Sequence, residues 1–349
     1  MTNLSDVICN SNKYKVIREI GNGSYATVFL AEDQEGNQVA LKQLNYSLNF
    51  EHMLQQEFMR EISIMAIQNH MTVIDIINFA LPSSEECAFI VMPFMKGGTL
   101  ESKIDEYIIQ PNDNFFSPTD RSKAAFGIAY GMMHIHAQQV IHRDLKTQNI
   151  LLNDQNEPVI TDFGLSKPYR DDIYMSQRCG SPYYIAPEII DTGNLTPKTD
   201  VYSYSIILYR LFFGEYTFSN NSCQSLRPSD IYNKVEKGDR FEIPQGVPPF
   251  WENLIKQCWK QNPLKRPTFC DIVKLLIDGE NLIPGTNKDA FFDYVQRLVA
   301  NDDKFLRQMG INIPFSNGNT YQEEEELPED TEEFSFVEKS NPMMMNDSR

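Results

Sequence analysis

The chain has 349 residues, of which 31 are Lys or Arg and 48 are Asp or Glu, so its formal net charge is −17. This length suits about two domains or one large two-lobed unit, and a 41% apolar content suffices for a sizeable core. The acidic balance excludes general nucleic-acid binding and adsorption to an anionic membrane surface, because both need clustered Lys and Arg.

The ends of the chain and its cysteines predict a cytoplasmic protein, with the nucleus as the alternative location. The first ten residues contain neither a basic region nor an apolar run, so we expect no secretory signal. The most apolar stretch, residues 204–213, contains Arg210 and is too short to span a bilayer. Six cysteines show no Cys-x-x-Cys spacing, which favours reduced thiols over a zinc site or a disulfide framework.

Residues 13–95 have the pattern of several strands around one helix. The strand candidates are short apolar or alternating runs at residues 14–20, 28–31, 38–44 and 88–92. Between the third and the fourth run, Leu54, Phe58, Ile62 and Met65 follow one another at spacings of four, four and three. This spacing predicts that they share one face of a helix of about four turns.

Residues 99–277 are mostly helical by pattern, and an acidic run follows later in the chain. The predicted helices cover residues 121–138, 199–213, 254–259 and 270–277. Apolar residues between 280 and 310 predict a helical extension that packs on this part. Nine acidic residues and no basic one lie between Glu323 and Glu338. We expect this run to be disordered and solvated; docking of a basic partner and a pseudosubstrate-like restraint are the less favoured alternatives.

A glycine-rich loop lies between the first two predicted strands. Residues 21–26 read Gly-Asn-Gly-Ser-Tyr-Ala, and residues 27–31 have strand rather than helical character. The loop therefore joins two strands as a flap, unlike the glycine loop of a dinucleotide site, which opens a helix. Backbone N–H groups beside glycine can approach phosphates closely, although an ordinary hairpin turn would have similar residues.

Lys42 and Glu61 form a second candidate feature. Lys42 ends an apolar strand, and Glu61 follows it by 19 residues on the predicted helix, offset from its apolar face. The two side chains could meet between strand and helix, or each could be solvated separately. Their spacing alone does not decide between these alternatives.

Further motifs follow in a fixed order, and together they resemble the eukaryotic protein kinase catalytic domain over residues 14–277. The full set comprises the glycine loop, Lys42, Glu61, His-Arg-Asp-Leu-Lys-Thr-Gln-Asn at 142–149, Thr-Asp-Phe-Gly at 161–164, Ala-Pro-Glu at 186–188 with Asp200 after it, and Arg266 within Asn-Pro-Leu-Lys-Arg-Pro-Thr. So many ordered motifs at this spacing make a specific signal.

The resemblance implies an α+β architecture, the two-lobed protein kinase fold. Its small lobe would be rich in β-strands with one helix, and its larger lobe would be mainly helical. The implied boundaries are an N-terminal extension at 1–13, an N-lobe at 14–92, a hinge at 93–98, a C-lobe at 99–277, a helical extension at 278–312 and an acidic disordered tail at 313–349.

The resemblance also implies an ATP-dependent phosphotransferase that uses Mg²⁺, and six residues match the positions of its chemistry. Asp144 would orient the incoming hydroxyl and accept its proton, and Lys146 would stabilise charge on the transferring phosphate. The other implied roles are Mg²⁺ binding by Asn149 and Asp162, α- and β-phosphate binding by Lys42, and support of Lys42 by Glu61.

The implied nucleotide-binding positions lie on the glycine loop, the strands beside it and the hinge. They are Ile20, Gly21, Asn22, Gly23, Ser24, Tyr25, Ala26, Thr27, Val28, Ala40, Lys42, Met92, Pro93, Met95 and Leu151. Val28, Ala40 and Leu151 would sandwich the adenine, and Met92 would be the gatekeeper that narrows the pocket behind it.

Two nucleotide-binding positions depart from the family pattern. Ala26 replaces the third glycine of the loop, where a small side chain should have at most a modest effect. Pro93 has no N–H to offer at the first hinge position. In the family this position offers only its carbonyl, and Met95 would supply the N–H, so we expect Pro93 to leave ATP binding intact.

The residue type that accepts the phosphate, Ser/Thr or Tyr, is predicted from three motifs of the larger lobe. Lys146 two residues after Asp144, and the Gly-Ser-Pro-Tyr-Tyr at 180–184, resemble Ser/Thr kinases, whereas residues 258–269 look tyrosine-kinase-like. The combination resembles the tyrosine-kinase-like group of Ser/Thr kinases, and dual specificity stays open. Protein substrates in intracellular signalling are implied, with no nucleic-acid or membrane partner. A nucleotide-binding scaffold is the alternative, which the intact catalytic set disfavours.

Control by phosphorylation is predicted from Arg143, which precedes Asp144. A phosphate on the activation segment could pair with Arg143 and order that segment. The candidate positions are Tyr174 and Ser176, modified by an upstream kinase or by autophosphorylation.

Three further residues are predicted to have structural roles. His142 should be a packed core histidine, stacked in the interior with Phe163. Glu188 and Arg266 should form a buried ion pair that fixes the substrate loop.

Overall fold

The N-terminal part of the chain folds into one antiparallel sheet with a helix. The computed structural model describes residues 13–23, 26–45, 52–68, 70–82, 87–113, 115–169, 181–218, 221–222 and 226–312. Within these residues the sheet has five strands in the order β1-β2-β3-β5-β4. Its elements are β1 (Lys15–Asn22), β2 (Ala26–Glu32), β3 (Gln38–Leu44), the helix α1 (His52–Ile67), β4 (Asn78–Ala80) and β5 (Phe89–Pro93).

The pattern of apolar residues explains why these elements form. Phe58, Ile62 and Met65 of α1 are all buried, as their helical spacing predicts. The four predicted strands correspond to β1, β2, β3 and β5. Strand β4 was not predicted, because its three residues are too few to show an alternating pattern. Gly21 pairs with Val28 across β1 and β2, which confirms that the glycine loop joins two strands.

The second part of the described chain is mainly helical, with short strands between the helices. Its helices are α2 (Leu100–Ile109), α3 (Pro118–Ala137), α4 (Pro187–Asp191), α5 (Pro197–Phe213), α6 (Pro228–Glu236), α7 (Pro249–Cys258), α8 (Phe269–Leu276), α9 (Lys288–Val299) and α10 (Asp303–Gln308). Its strands are β6 (Val140–Ile141), β7 (Ile150–Leu152), β8 (Pro158–Ile160), β9 (Lys167–Pro168), β10 (Thr217–Phe218) and β11 (Asn221–Ser222). This is the two-lobed α+β fold that the sequence predicts.

Several helices begin earlier than the apolar pattern predicts. α3, α5 and α7 each start with a proline, which is preorganised for the first turn of a helix but carries no periodic signal. Ser117 and Asp120 add a capping box to α3, each side chain accepting the backbone N–H of the other residue. α5 is buried along almost its whole length and forms the centre of the larger lobe.

The two lobes meet at a segment whose glycines permit close backbone contact. A Cβ atom on Gly97 would lie 2.5 Å from the carbonyl oxygen of Asn153, so only glycine fits there. Gly97 N–H donates to the Leu152 carbonyl, and Leu152 N–H donates to the Gly98 carbonyl. The segment predicted to be the hinge is therefore fixed against β7, the strand that contains Leu151.

The extension after residue 280 packs on α3. Asn287 N–H donates to Thr119 Oγ1, and the hydroxyls of Ser122 and Thr286 lie 2.8 Å apart. Phe291, Tyr294 and Leu298 of α9 are buried, whereas Phe292 and Phe305 are partly buried against the same core. The acidic run lies outside the described residues, so its disorder stays a prediction.

The described part of the chain has neither a membrane-spanning helix nor a disulfide bond. None of its helices has the length and apolar character that crossing a bilayer requires. Its cysteines, Cys87, Cys258 and Cys270, are all free thiols.

Candidate active site

Lys42 lies at the centre of the site, because the strand register and α1 bring two carboxylates to its ammonium group. β3 pairs Lys42 with Val28 on β2 and with Ile90 on β5, so the three side chains share one face of the sheet. Lys42 Nζ lies 2.6 Å from Glu61 Oε1 and 3.0 Å from Asp162 Oδ1. The alternative of two separately solvated side chains is therefore wrong.

Pairing maintains the charge of this buried lysine. Burial alone would lower the pKa of Lys42, but the Glu61 and Asp162 carboxylates outweigh it and raise that pKa above its ordinary value. The Lys42 ammonium in turn holds the pKa of Asp162 below its usual range. Lys42 and Asp162 are therefore both ionised at neutral pH.

Asp162 adopts a backbone conformation that is uncommon for an aspartate. Its φ of +67° lies in the left-handed region, and such strain persists only where the surroundings enforce it. Phe163 beside it is fully buried, with its ring centroid 5.1 Å from that of His142. His142 Nε2 donates to the Thr161 carbonyl at 3.0 Å. The prediction that His142 is a packed core histidine is confirmed.

The loop that precedes β7 gathers Asp144, Lys146 and Asn149 around one carboxylate. Lys146 Nζ lies 2.5 Å from Asp144 Oδ2. Asn149 Nδ2 donates to the same oxygen at 3.0 Å and to the Asp144 backbone carbonyl at 2.8 Å. Asp144 is buried, with 8% of its surface exposed. Its side chain is therefore oriented by these partners rather than by bulk solvent.

The Asp200 side chain holds the backbone of this loop through hydrogen bonds. It accepts hydrogen bonds from the backbone N–H groups of His142 and Arg143, both at 2.9 Å, and from His136 Nε2 at 2.8 Å. Arg143 has φ of +71°, a second strained position that these bonds stabilise. The sequence indicated Asp200, but His136 was missed, because a histidine at the end of an apolar helix gives no distinctive signal.

Asp200 is expected to make stability depend on pH. Burial would raise the pKa of Asp200, but the His136 hydrogen bond and the neighbouring groups lower it below the ordinary 3.8. A carboxylate with a lowered folded-state pKa stabilises the fold above about pH 4, and this contribution is lost as pH falls through the folded value.

The variant Asp200→Asn should therefore unfold about 1–3 kcal/mol more easily at neutral pH, because one buried donor loses its acceptor. Urea unfolding from pH 7 to pH 3 measures this difference. It should stay constant down to about pH 5 and shrink below about pH 4. A difference that grows on acidification would contradict this assignment.

Two side chains, Asn149 and Asp162, have an oxygen atom that could bind a Mg²⁺ ion. Asn149 Nδ2 makes both of its hydrogen bonds to Asp144, which leaves the amide oxygen available. Asp162 uses Oδ1 for Lys42, and Oδ2 has no hydrogen-bond partner among the described residues. The Asn149 carbonyl also accepts the Thr161 N–H at 2.9 Å, which ties the two ligand segments together. Hard oxygen atoms of this kind fit the preference of Mg²⁺.

The predicted adenine positions lie along paired strands and the hinge. Ala40 pairs with Met92 across β3 and β5, so the two residues occupy the same face of the sheet as Lys42. Ala40 and Met92 are buried, and Leu151 and Met95 are partly buried. Leu151 belongs to β7, which the hinge contacts.

The glycine loop is tied back to β3. Gly23 N–H donates to the Ala26 carbonyl at 2.9 Å, and Asn45 Nδ2 donates to the Gly23 carbonyl at 3.1 Å. Asn22 pairs with Thr27, and Thr27 Oγ1 donates to Asn45 Oδ1. Asn45 is a contact that sequence reasoning missed. Ser24 and Tyr25, and with them the tip of the loop, lie outside the described residues, as do Tyr174 and Ser176.

A buried hydroxyl network beside the 142–149 loop was also missed. Thr147 Oγ1 donates to Glu101 and lies 2.7 Å from the Tyr184 hydroxyl, which lies 2.7 Å from the Tyr216 hydroxyl. Burial raises the pKa of Tyr184 to about 12, so the hydroxyl stays protonated. Arg210 pairs with Glu101 at 3.2 Å. The network connects the 142–149 loop to the segment before α4.

The predicted ion pair between Glu188 and Arg266 is confirmed. The two terminal guanidinium nitrogens of Arg266, Nη1 and Nη2, each lie 2.7 Å from a carboxylate oxygen of Glu188, in a bidentate arrangement. Arg266 also donates to the Lys198 and Lys260 carbonyls, each at 2.8 Å. This one buried cation thus connects the start of α4 to the first turn of α5 and to the loop after α7.

Comparison with known families agrees with this geometry. The model of the family described as "Protein kinase domain" matches residues 14–276, which is 263 of the 349 residues. The chain therefore belongs to the protein kinase domain family.

Curated relatives include kinases of both acceptor classes. The RGS domain-containing serine/threonine-protein kinase A of Dictyostelium discoideum is 34% identical over 74% of this chain and 22% of its own length. The serine/threonine-protein kinase STY17 of Arabidopsis thaliana is 30% identical over 75% of this chain and 44% of its own. The tyrosine-protein kinase Src64B of Drosophila melanogaster is 30% identical over 74% of this chain and 45% of its own. The chain thus spans less than half the length of these relatives.

Proposed function

We propose that this chain is an ATP-dependent protein kinase that transfers the γ-phosphoryl group of ATP to Ser and Thr hydroxyls of protein substrates. The observation that carries the proposal is the position of Lys42 Nζ, 2.6 Å from Glu61 and 3.0 Å from Asp162. A lysine held between these two carboxylates is preorganised to bind phosphate oxygens without a rearrangement of α1.

The residues of the catalytic loop supply the chemistry at the acceptor. Asp144 accepts the hydrogen bond of the incoming hydroxyl, orients its oxygen and takes its proton as the new O–P bond forms. Lys146, which lies 2.5 Å from Asp144, compensates the negative charge that moves onto the transferring phosphoryl group. Phosphoryl transfer depends mainly on position and charge stabilisation, so these two side chains need no covalent step of their own.

Asn149 and Asp162 would hold Mg²⁺, through the amide oxygen of one and the carboxylate of the other. The ion would neutralise phosphate charge when bound. Lys42 binds the α- and β-phosphates, and Glu61 keeps the ammonium group directed toward them. The nucleotide base would be held between Val28, Ala40 and Leu151, with Met92 behind it, and the Pro93 carbonyl and the Met95 N–H would be its hinge partners.

The remaining nucleotide contacts come from the glycine loop. They are Ile20, Gly21, Asn22, Gly23, Ser24, Tyr25, Ala26 and Thr27. Small residues at the loop allow its N–H groups to approach phosphate oxygens. The hydrogen bond from Asn45 to Gly23 supports a loop that is held over the phosphates.

Lys146 and the names of relatives such as STY17 support the proposal of Ser/Thr specificity, and membership of the tyrosine-kinase-like group is the finer proposal. Two peptides that are identical except for Ser or Tyr at one position test the acceptor. We expect transfer of label from γ-labelled ATP to the Ser peptide and little to the Tyr peptide. The variant Lys42→Met should abolish transfer of label to either peptide. Equal transfer to the two peptides would establish dual specificity instead.

Regulation and location stay predictions. Phosphorylation at Tyr174 or Ser176 would give Arg143 an anionic partner and order the activation segment. An upstream kinase or autophosphorylation would supply it. The proposed compartment is the cytoplasm, with the nucleus as the alternative, and the proposed role is signalling.

A further inference from the structure

A cluster of titratable side chains lies away from the active site, where the extension meets the kinase core. Asp302 Oδ2 accepts a hydrogen bond from the Tyr130 hydroxyl at 2.9 Å. The same oxygen lies 3.0 Å from His134 Nε2 and 3.5 Å from His70 Nε2. Three distant parts of the chain thus converge on one carboxylate oxygen: the segment after α1, helix α3 and the start of α10.

The cluster is largely sheltered from water. The side chains of His70, His134 and Asp302 are 7%, 15% and 19% exposed. The His70 and His134 rings stack with centroids 4.1 Å apart, and Phe305 covers His134 from the other side. The two histidines and Tyr130 lower the pKa of Asp302 below its usual range against the opposing effect of burial. Asp302 is therefore ionised at neutral pH.

His70, His134 and Asp302 each offer one atom that can bind a metal ion, and these three atoms lie within 4.8 Å of one another. The cluster could therefore hold either a metal ion or a polar contact. Both Nε2 atoms approach the same Asp302 oxygen, so the position of the ring protons decides between a polar contact and a metal site. His70 Nδ1 also accepts the Thr72 N–H at 3.2 Å, which leaves the proton of the neutral ring on Nε2, an atom that lies 3.5 Å from Asp302 Oδ2. A ring nitrogen that holds a proton has no lone pair for a metal ion. The arrangement therefore favours a polar contact between the two imidazoles and the Asp302 carboxylate, here called the clamp, over a metal centre.

His70 belongs to a segment that connects directly to the active site. Its Nδ1 lies 2.7 Å from Thr72 Oγ1. The Thr72 carbonyl accepts the Ile160 N–H, and Ile74 N–H donates to the Ile160 carbonyl, both at 2.8 Å. Ile160 ends β8 two residues before Asp162. In the other direction, His70 follows the end of α1, the helix that contains Glu61, by three residues.

Close packing leaves this segment little freedom to adjust. A Cβ atom on Gly131 of α3 would lie 2.3 Å from Thr72 Oγ1, so α3 touches Thr72 directly. Val73 N–H donates to the His70 carbonyl at 2.9 Å, which closes a turn at the segment. A displacement of His70 would therefore be passed on to β8 and to α1 rather than absorbed locally.

We propose that Asp302 is a positioning residue for the kinase reaction: the extension, through the Asp302 contact with His70 and His134, holds the 68–74 segment and so keeps Glu61 and Asp162 placed at Lys42. Asp302 itself touches no reacting atom. The role makes the extension after residue 280 part of the catalytic unit rather than a separate attachment. The part of this proposal that concerns activity rests on the proposed kinase function.

The test compares Asp302→Ala with Asp303→Ala, an exposed neighbour of the same chemistry at the start of α10. Asp302→Ala should lower kcat about two- to thirtyfold with an unchanged KM for the peptide, whereas Asp303→Ala should leave both unchanged. Assays are run well below the unfolding temperature of each variant. A loss confined to global stability, with kcat intact, would overturn the proposal.

Hydrogen exchange gives a readout that does not need activity. Asp302→Ala should speed exchange in residues 61–74 and 160–164 and leave α7 unchanged. Uniform acceleration over the whole protein, or none in these two segments, would overturn the proposal. If wild type transfers no phosphate, the proposed function fails, but this comparison can still be read.

A double-mutant cycle with His70→Gln isolates the contact. The double variant should lose little more activity than Asp302→Ala alone, because either change breaks the same link. Additive losses would contradict the link. Zn²⁺ alone is the final probe: a rise in unfolding temperature with one equivalent of Zn²⁺, present in wild type and absent in Asp302→Ala, would overturn the clamp in favour of a metal centre.

Discussion

Asp144→Asn is expected to lower the rate of phosphoryl transfer by about 10²- to 10⁴-fold, the range that a positioned general base contributes. The substitution keeps the size of the side chain. It also keeps an oxygen that can accept the hydrogen bond from Asn149 Nδ2, which is 3.0 Å long in the wild type. It removes the negative charge that pairs with Lys146 and the basic oxygen that takes the proton of the acceptor. The loss should therefore appear in kcat, while nucleotide binding, which depends on other residues, is retained.

Single-turnover transfer and equilibrium binding of a fluorescent ATP analogue separate these two effects. Asp154→Asn is the matched control, because Asp154 is exposed on the β7–β8 turn and has the same chemistry. This control should transfer phosphate at the wild-type rate. If Asp144→Asn retained more than about one tenth of the wild-type rate, Asp144 would not be the base.

The second large effect is expected on stability. Arg266→Leu should lower the free energy of unfolding by about 3–5 kcal/mol, because it leaves the buried Glu188 carboxylate without its cation. The Arg266 side chain is fully buried, and the variant would also remove the donors that the Lys198 and Lys260 carbonyls use. An unpaired buried charge costs more than the pair itself contributes.

Arg227→Leu gives a control with the same change in residue type. Arg227 pairs with Asp230 at 3.1 Å, but its side chain is 80% exposed, so solvent screens the interaction. Urea unfolding should show a loss of at most about 1 kcal/mol for this control. Equal losses for the two variants would mean that burial of the Glu188 pair does not govern its contribution.

Much of the fold could be predicted because local pattern and tertiary environment agree. The helical spacing of Phe58, Ile62 and Met65 matches the buried face of α1, and the strand character after the glycine loop matches β2. The meeting of Lys42 with Glu61 could not be derived from their spacing alone. It depended on the ordered motifs that resemble a kinase, since a 19-residue separation leaves the distance between two side chains open.

Other features have no local signal in the sequence. His136 and Asn45 are single polar residues whose partners, Asp200 and Gly23, lie far away in the chain. Their roles arise from topology, which brings the end of α3 to the start of α5 and the end of β3 to the glycine loop. The His70 contact with Asp302 spans more than 200 residues and is invisible to periodicity for the same reason.

The measurement that tests the central claim most directly is transfer of labelled γ-phosphate from ATP with Mg²⁺ to a generic basic protein, followed by acid hydrolysis. Wild type should place label on Ser and Thr, and Asp144→Asn, with ATP still bound, should place almost none. Nucleotide binding without transfer by wild type, even after treatment with activating kinases, would contradict the account. The chain would then be a nucleotide-binding scaffold.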